Sequence, residues 1–333
     1  MVESLYKPEE AKGLWVYLEQ TDGKLEGVGL ELLGKGRALA DALGDKLTGV
    51  LLGDGVEPLA REAISHGADE VLVVENPRLD VYRTDTYTNA LFHVVRSHKP
   101  SIFLLGATPN GRDLAARLAA RLRTGLTADC VDLGIEEGTG LLLGITAGFG
   151  GGILATIKCP NHRPQMATVR PGVFPRPVPE AKRRGKIRRL DVPVQESAIQ
   201  VLERRVGAEA DLTTAKVLVI GGGGTRGDFR LLKELADLLG GQLGATRVAV
   251  DAGWAPREWQ IGQTGYVTRP KLAIVCGASG AMQFTVGIEG AETVVAINID
   301  GEAPIFEYAD YGIVDDVFAF LPALIEQIRR LKH

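Results

Sequence analysis

Aromatic residues are scarce, at 6% of the 333 residues, and there are only three cysteines, Cys130, Cys159 and Cys276. An odd number of widely separated cysteines argues against a disulfide framework and fits a reducing, cytoplasmic setting. No stretch approaches the roughly 18–20 consecutive apolar residues that span a bilayer, so no membrane insertion is expected. The opening MVESLYKPEEAKG carries acids where a secretory leader starts basic, and it lacks an apolar run, so no leader is expected. Positive charge is not in excess either: the formal net charge is −4, which argues against a nucleic-acid binder, whose footprint is basic. Six basic residues do concentrate between Lys182 and Arg189, but they lie among Pro171, Pro175, Pro177, Pro179 and Pro193 and read as a solvated linker. Cys159 and His162 do not make a metal site, because no second ligand pair accompanies them.

What is present is ordinary for a folded chain: 45% hydrophobic and 24% charged residues, over a length that suits two domains. The first half alternates apolar runs at 14–18, 47–52, 70–74 and 101–105 with helical patterns at 34–42, 58–66, 86–97 and 111–122. This β/α alternation predicts a mostly parallel sheet with helices on both faces. The glycine-broken stretch 141–157 has no helical period and is expected to add closing strands. The proline-rich segment 171–193 marks the boundary, giving an N-terminal α/β domain at 1–196 and a C-terminal α/β domain at 197–333. In the second domain, strands are expected at 216–220, 272–276 and 293–297. Helices are expected at 228–239 and 314–331, the last presenting Phe318, Leu321, Leu324, Ile325 and Ile328 as a packing face.

Chemistry is expected where glycines follow strands in this second domain. Gly221-Gly222-Gly223-Gly224 follows one, and Gly277-Ala278-Ser279-Gly280 follows another, just before a short helix that Ser279 would cap. Such turns let the backbone approach an anion and aim amide N–H groups at it. Two in one domain point to a pyrophosphate-bearing ligand, while the spacing misses the GxGxxG fingerprint and so disfavours a standard NAD site. Asn298, at the end of the 293–297 strand, stands where parallel α/β folds place ligands.

Several long segments resemble the alpha subunit of an electron transfer flavoprotein of bacterial type. They include 111–114, 124–130 and 159–171 in the first domain. In the second they are 244–265 (GATRVAVDAGWAPREWQIGQTG), 276–283, 296–298 and 302–314. The resemblance implies two parallel-sheet α/β domains, the C-terminal one a Rossmann-like domain that binds FAD. It also implies a beta-subunit partner meeting the N-terminal domain, a dehydrogenase donor and a redox acceptor, and it extends to systems that bifurcate electrons. Carried over by residue, Thr246 and Arg247 match a Ser-Arg pair whose arginine lies against the isoalloxazine. Thr264, beside Gln263 and within Gln260, Ile261 and Gly262, matches a threonine that reaches flavin N5. Ser279, Gly280, Ala281, Met282 and Gln283 match pyrophosphate and ribityl contacts. Asn298, Asp316 and Val317 match the adenosine end, and Gly222 the glycine turn.

Three positions depart from that pattern. Gly223 stands where the family has arginine, Phe284 where it has histidine, and Ile299 where it has lysine. Arg226 is a candidate replacement for the first; Phe284 offers bulk and no donor. The departures imply a lower first-electron potential. Two other readings stay open: a flavin-depleted structural partner of a beta subunit, and a nucleotide-binding oxidoreductase acting on a small substrate. The latter needs an acid or base in the site, and four of the five histidines lie outside the second domain.

Overall fold

A computed structural model describes residues 5–147, 153–203, 212 and 215–332. The chain forms two compact units, Met1–Glu203 and Arg204–His333.

The first unit contains β1 (Leu14–Leu18), the short pair β2 (Gln20–Thr21) and β3 (Lys24–Leu25), α1 (Gly27–Leu43), β4 (Leu47–Gly53), α2 (Glu57–Ser65), β5 (Glu70–Glu75) and α3 (Thr84–His98). It continues through β6 (Ile102–Gly106), α4 (Pro109–Leu122), β7 (Leu126–Ile135), β8 (Leu142–Ala147), β9 (Leu154–Ile157), β10 (Gln165–Val169) and β11 (Lys186–Arg189). Nine strands form one sheet in the order β11-β5-β4-β1-β6-β10-β7-β8-β9, parallel except for the β7–β8 and β8–β9 pairs. The period-2 alternation of β1 builds both faces. Leu14, Val16 and Leu18 join a core with α1 and α2, whereas Trp15 and Tyr17 join a second core with α3 and α4. Burial on both faces explains why β1, β4 and β6 read as continuous apolar runs. The closing strands expected in 141–157 are β8 and β9; residues 148–152 of that stretch lie outside the described residues.

The basic segment is more ordered than a solvated linker. β11 pairs in parallel with β5, and Ile187 packs against the core. Its charges are matched locally: Arg183 meets Asp69 at 3.1 Å, Arg188 meets Glu70 at 3.6 Å, and Arg189 meets Glu57. Composition reports the prolines and arginines but not the acids that wait for them on the neighbouring elements.

The second unit contains β12 (Val217–Gly221), α5 (Arg230–Leu239), β13 (Gln242–Ala245), α6 (Arg247–Asp251), β14 (Leu272–Cys276), α7 (Met282–Thr285), β15 (Val294–Asn298), β16 (Tyr311–Val314) and α8 (Val317–Lys332). Its five strands are all parallel, in the order β13-β12-β14-β15-β16. One face is covered by α5 and α8, through Leu232, Leu235, Leu321 and Ile325; Phe320, not Phe318, joins that contact. The other face is covered by loops and short turns carrying Ile261, Phe284, Ile288 and Ile305. The chain leaves β12 toward β13 and then crosses to β14 on the other side. The ends of β12 and β14 therefore flank a topological switch point, where parallel α/β sheets leave a crevice.

Candidate functional site

At that switch point the two glycine turns touch. The Gly222 N–H donates to Cys276 O at 2.9 Å and the Gly224 N–H to Gly277 O at 2.8 Å. A Cβ on Gly222 would fall 2.5 Å from Ala278 Cα, and one on Gly224 2.9 Å from Gly277 Cα. These glycines are thus demanded by contact between loops, a reason that precedes any anion. Gly223 differs: a Cβ there would meet only Val248 Cγ1, at 3.5 Å. The position that departs from the family pattern has room for a side chain.

Beside the turns lies a cavity of about 770 Å³, within the roughly 300–1,000 Å³ range of ligand sites. Of the residues expected at the site, Gly223, Thr246, Arg247, Ile261, Gly262, Gln263, Thr264, Ser279, Gly280, Ala281, Gln283, Phe284 and Asn298 line it. Sequence reasoning missed Val248, Asp251, Ala303 and Pro304, which line it too. Asp251 was findable from its i,i+4 spacing to Arg247, whose Nε donates to its carboxylate at 3.1 Å.

The 260–265 loop is shaped by close packing. Gly262 has φ +132°, and a Cβ there would lie 2.5 Å from Gln283 O. A Cβ on Gly265 would lie 2.1 Å from Gln260 O. The Gln263 N–H donates to Gln283 O at 2.7 Å, tying this loop to the turn that carries Ser279 and Gln283. Asn298 clamps a third loop, its Nδ2 donating to Ala278 O at 2.9 Å while its Oδ1 accepts from the Asp300 N–H at 3.0 Å. Phe284 forms a wall of the cavity and also belongs to the core with Ile261 and Ile288.

Several expected residues lie elsewhere. Arg226, at φ +49°, lines a separate open hollow with Asp228, Phe229, Arg230, Lys233 and Trp259 and is not among the residues that line the cavity beside Gly223. Val317 is buried in the core between β-sheet and helices. The Asp316 carboxylate accepts from the Phe318 N–H at 2.7 Å and caps α8. Gln260 is buried beneath the loop, and Met282 does not line the cavity. Ser279 is no helix cap either: α7 begins at Met282 after Ala281, with no side-chain cap. Gly280 at φ +87° turns the chain between them, leaving Ser279 facing the cavity. Ile299 is 73% exposed and outside the cavity wall.

Two observations fit a polar, phosphate-bearing cofactor. Thr246 lines the cavity, and its buried Oγ1 has no hydrogen-bond partner among the described residues, an arrangement that a folded protein avoids unless something else satisfies the group. The Gly277–Gly280 turn has positive φ at Gly277 and Gly280, and all four of its residues, Ser279 among them, line the cavity. Among the described residues no helix is long and apolar enough to cross a membrane.

Comparison with known proteins agrees with the geometry. Residues 14–195 match the electron transfer flavoprotein domain and residues 211–289 the electron transfer flavoprotein FAD-binding domain. An electron transfer flavoprotein subunit alpha of Thermoanaerobacterium thermosaccharolyticum is 49% identical, covering 96% of this chain and 99% of the relative. Protein FixB of Azorhizobium caulinodans is 46% identical over 96% of this chain and 89% of its own. The acryloyl-CoA reductase electron transfer subunit beta of Anaerotignum propionicum is 39% identical over 97% of each. The family's alpha subunits pair with a beta subunit. This chain belongs to the electron transfer flavoprotein family as an alpha subunit, with FAD as its cofactor.

Proposed function

We propose that FAD is seated in the switch-point cavity of the second unit and that the chain, acting in the cytoplasm, carries electrons between a dehydrogenase and an acceptor. The first unit would provide the surface for the beta subunit. Bound FAD supplies the redox chemistry, taking up and releasing electrons one or two at a time. The surrounding residues set its charge balance and its access to water. The Arg247 guanidinium favours added negative charge on a neighbouring ring, and its ion pair with Asp251 moderates that field. Phe284 excludes water from the wall without offering a donor, which supports a flavin that is harder to reduce than one facing an imidazole. Ser279, Gly280 and the amides around them suit the pyrophosphate, and Thr246, Gln263 and Thr264 suit polar edges of the cofactor.

The observation that carries this seating is the buried, unpartnered Thr246 hydroxyl at a cavity of dinucleotide scale. One relative is named as an electron transfer subunit of an acryloyl-CoA reductase, which supports an oxidoreductase of CoA thioesters as the redox partner. The test is the flavin content of the co-expressed heterodimer, read by visible absorbance and by FAD released on denaturation, followed by stepwise reduction. FAD held by the alpha chain supports the carrier. A colourless heterodimer that refuses added FAD would make this a structural partner. A second FAD, held by the beta subunit, would meet the requirement of electron bifurcation.

A further inference from the structure

Gln260 lies beneath the cavity-lining loop, only 5% exposed. Its backbone is held at both ends: the N–H donates to Arg257 O at 3.0 Å, and the carbonyl accepts from the Tyr266 N–H at 2.7 Å. Gly265 sits so closely over it that a Cβ would fall 3.0 Å from Gln260 Cγ. The side chain therefore has little freedom, and from this fixed position Nε2 donates to Thr264 Oγ1 at 2.8 Å. A hydroxyl carries one proton and two lone pairs. With a lone pair engaged by the amide, the Thr264 proton has no partner among the described residues and turns away from Gln260, while Thr264 itself lines the cavity.

We propose that Gln260 is a positioning residue that presents the Thr264 hydroxyl to the cofactor as a hydrogen-bond donor. The inference rests on the seating of FAD proposed above. Gln260 itself touches no ligand; it acts by deciding which way a neighbouring hydroxyl points. Glycine at 265 leaves room for this arrangement, since a Cβ there would fall 2.1 Å from the Gln260 backbone oxygen and 3.0 Å from its Cγ.

Gln260→Glu tests this in the intact heterodimer, because a carboxylate of nearly the same shape accepts the Thr264 proton and withdraws it from the cavity. FAD is titrated into the deflavinated heterodimer, and the visible flavin spectrum is recorded. One lost hydrogen bond predicts about 5-fold weaker binding for Gln260→Glu and for Thr264→Val alike. Adding Gln260→Glu to Thr264→Val should produce no further loss, since the two act through one hydroxyl. The carboxylate variant carries its own control: once protonated at low pH, Glu becomes a donor to Thr264 again, and affinity should recover as pH falls. A merely structural lesion would show no such recovery. Gln260→Met, similar in length and without donor or acceptor, covers the case in which Gln260→Glu fails to fold; its affinity should fall between wild type and Thr264→Val. Wild-type affinity in Gln260→Glu or Gln260→Met alongside a weakened Thr264→Val overturns the inference alone. Wild-type affinity and spectrum in Thr264→Val overturn the seating of FAD and the inference with it.

Discussion

Replacing Gly222 with alanine would place a methyl group 2.5 Å from both Ala278 Cα and Gly277 O. Gly222 has an ordinary φ of −104°, so the cost is steric and not conformational. Both obstacles are backbone atoms, so no side-chain rotation relieves them and the β12 and β14 turns must part. Separation strains the Gly222-to-Cys276 and Gly224-to-Gly277 hydrogen bonds. At about 1 kcal/mol each, with strain added, the expected loss is about 2–4 kcal/mol. Gly224→Ala, facing Gly277 Cα at 2.9 Å, should cost slightly less. Gly223→Ala should do the opposite, stabilising by about 0.4–1 kcal/mol through the unfolded chain, because its Cβ meets only Val248 at ordinary contact distance. Urea unfolding of the heterodimer, followed by tryptophan fluorescence and flavin release, ranks the three. Equal stability and equal flavin retention in Gly222→Ala and Gly223→Ala would refute the argument that contact between the turns fixes these glycines.

Phe284→His should raise the first-electron potential of bound FAD by about 65–130 mV, the equivalent of one hydrogen bond of roughly 1.5–3 kcal/mol to a charged group. Spectroelectrochemical titration checks it, and an unchanged potential would remove Phe284 from the tuning set. Asp316→Ala should destabilise α8 by about 1 kcal/mol while leaving FAD affinity within about 2-fold, because its carboxylate is spent on the Phe318 amide. Denaturation and FAD titration of the same variant separate capping from cofactor contact. Burial raises the Cys276 thiol from 9.0 to about 12, so between those values the unfolded chain loses a proton that the folded chain keeps. Its contribution is complete below pH 9 and declines as pH climbs toward 12, by up to about 1.4 kcal/mol per pH unit. Cys276→Ala should flatten that part of the stability profile relative to wild type.

The sheet strands buried on both faces were the most legible part of the sequence. β1 and β14 coincide with the expected 14–18 and 272–276 runs, because complete burial leaves an uninterrupted apolar signature. α1 begins at Gly27, seven residues before the expected 34–42 helix, since glycines at 27, 29, 34 and 36 obscure the period while making room for close packing. At Gly36, a Cβ would approach Leu47 Cδ1 to 3.0 Å. β16 escaped notice because an edge strand with exposed Tyr311 and Val314 has no apolar run to read. At the cavity, family resemblance located the loops, but only the folded structure separates Arg247, which lines it, from Arg226, which lines another hollow. Hydrogen-bond direction is likewise invisible in sequence: nothing in GQTG tells that Gln260 underlies Thr264 or that Asp316 is occupied as a cap.

The central claim is that the Thr246 hydroxyl awaits the cofactor, and Thr246→Val tests it by replacing the buried, unpartnered oxygen with a methyl group of similar shape. Removing an unsatisfied group should leave the deflavinated heterodimer as stable as wild type or more so, while FAD titration should show binding weakened by about 5-fold or more. FAD affinity equal to wild type would contradict the account, because the orphaned hydroxyl would then have no ligand to meet.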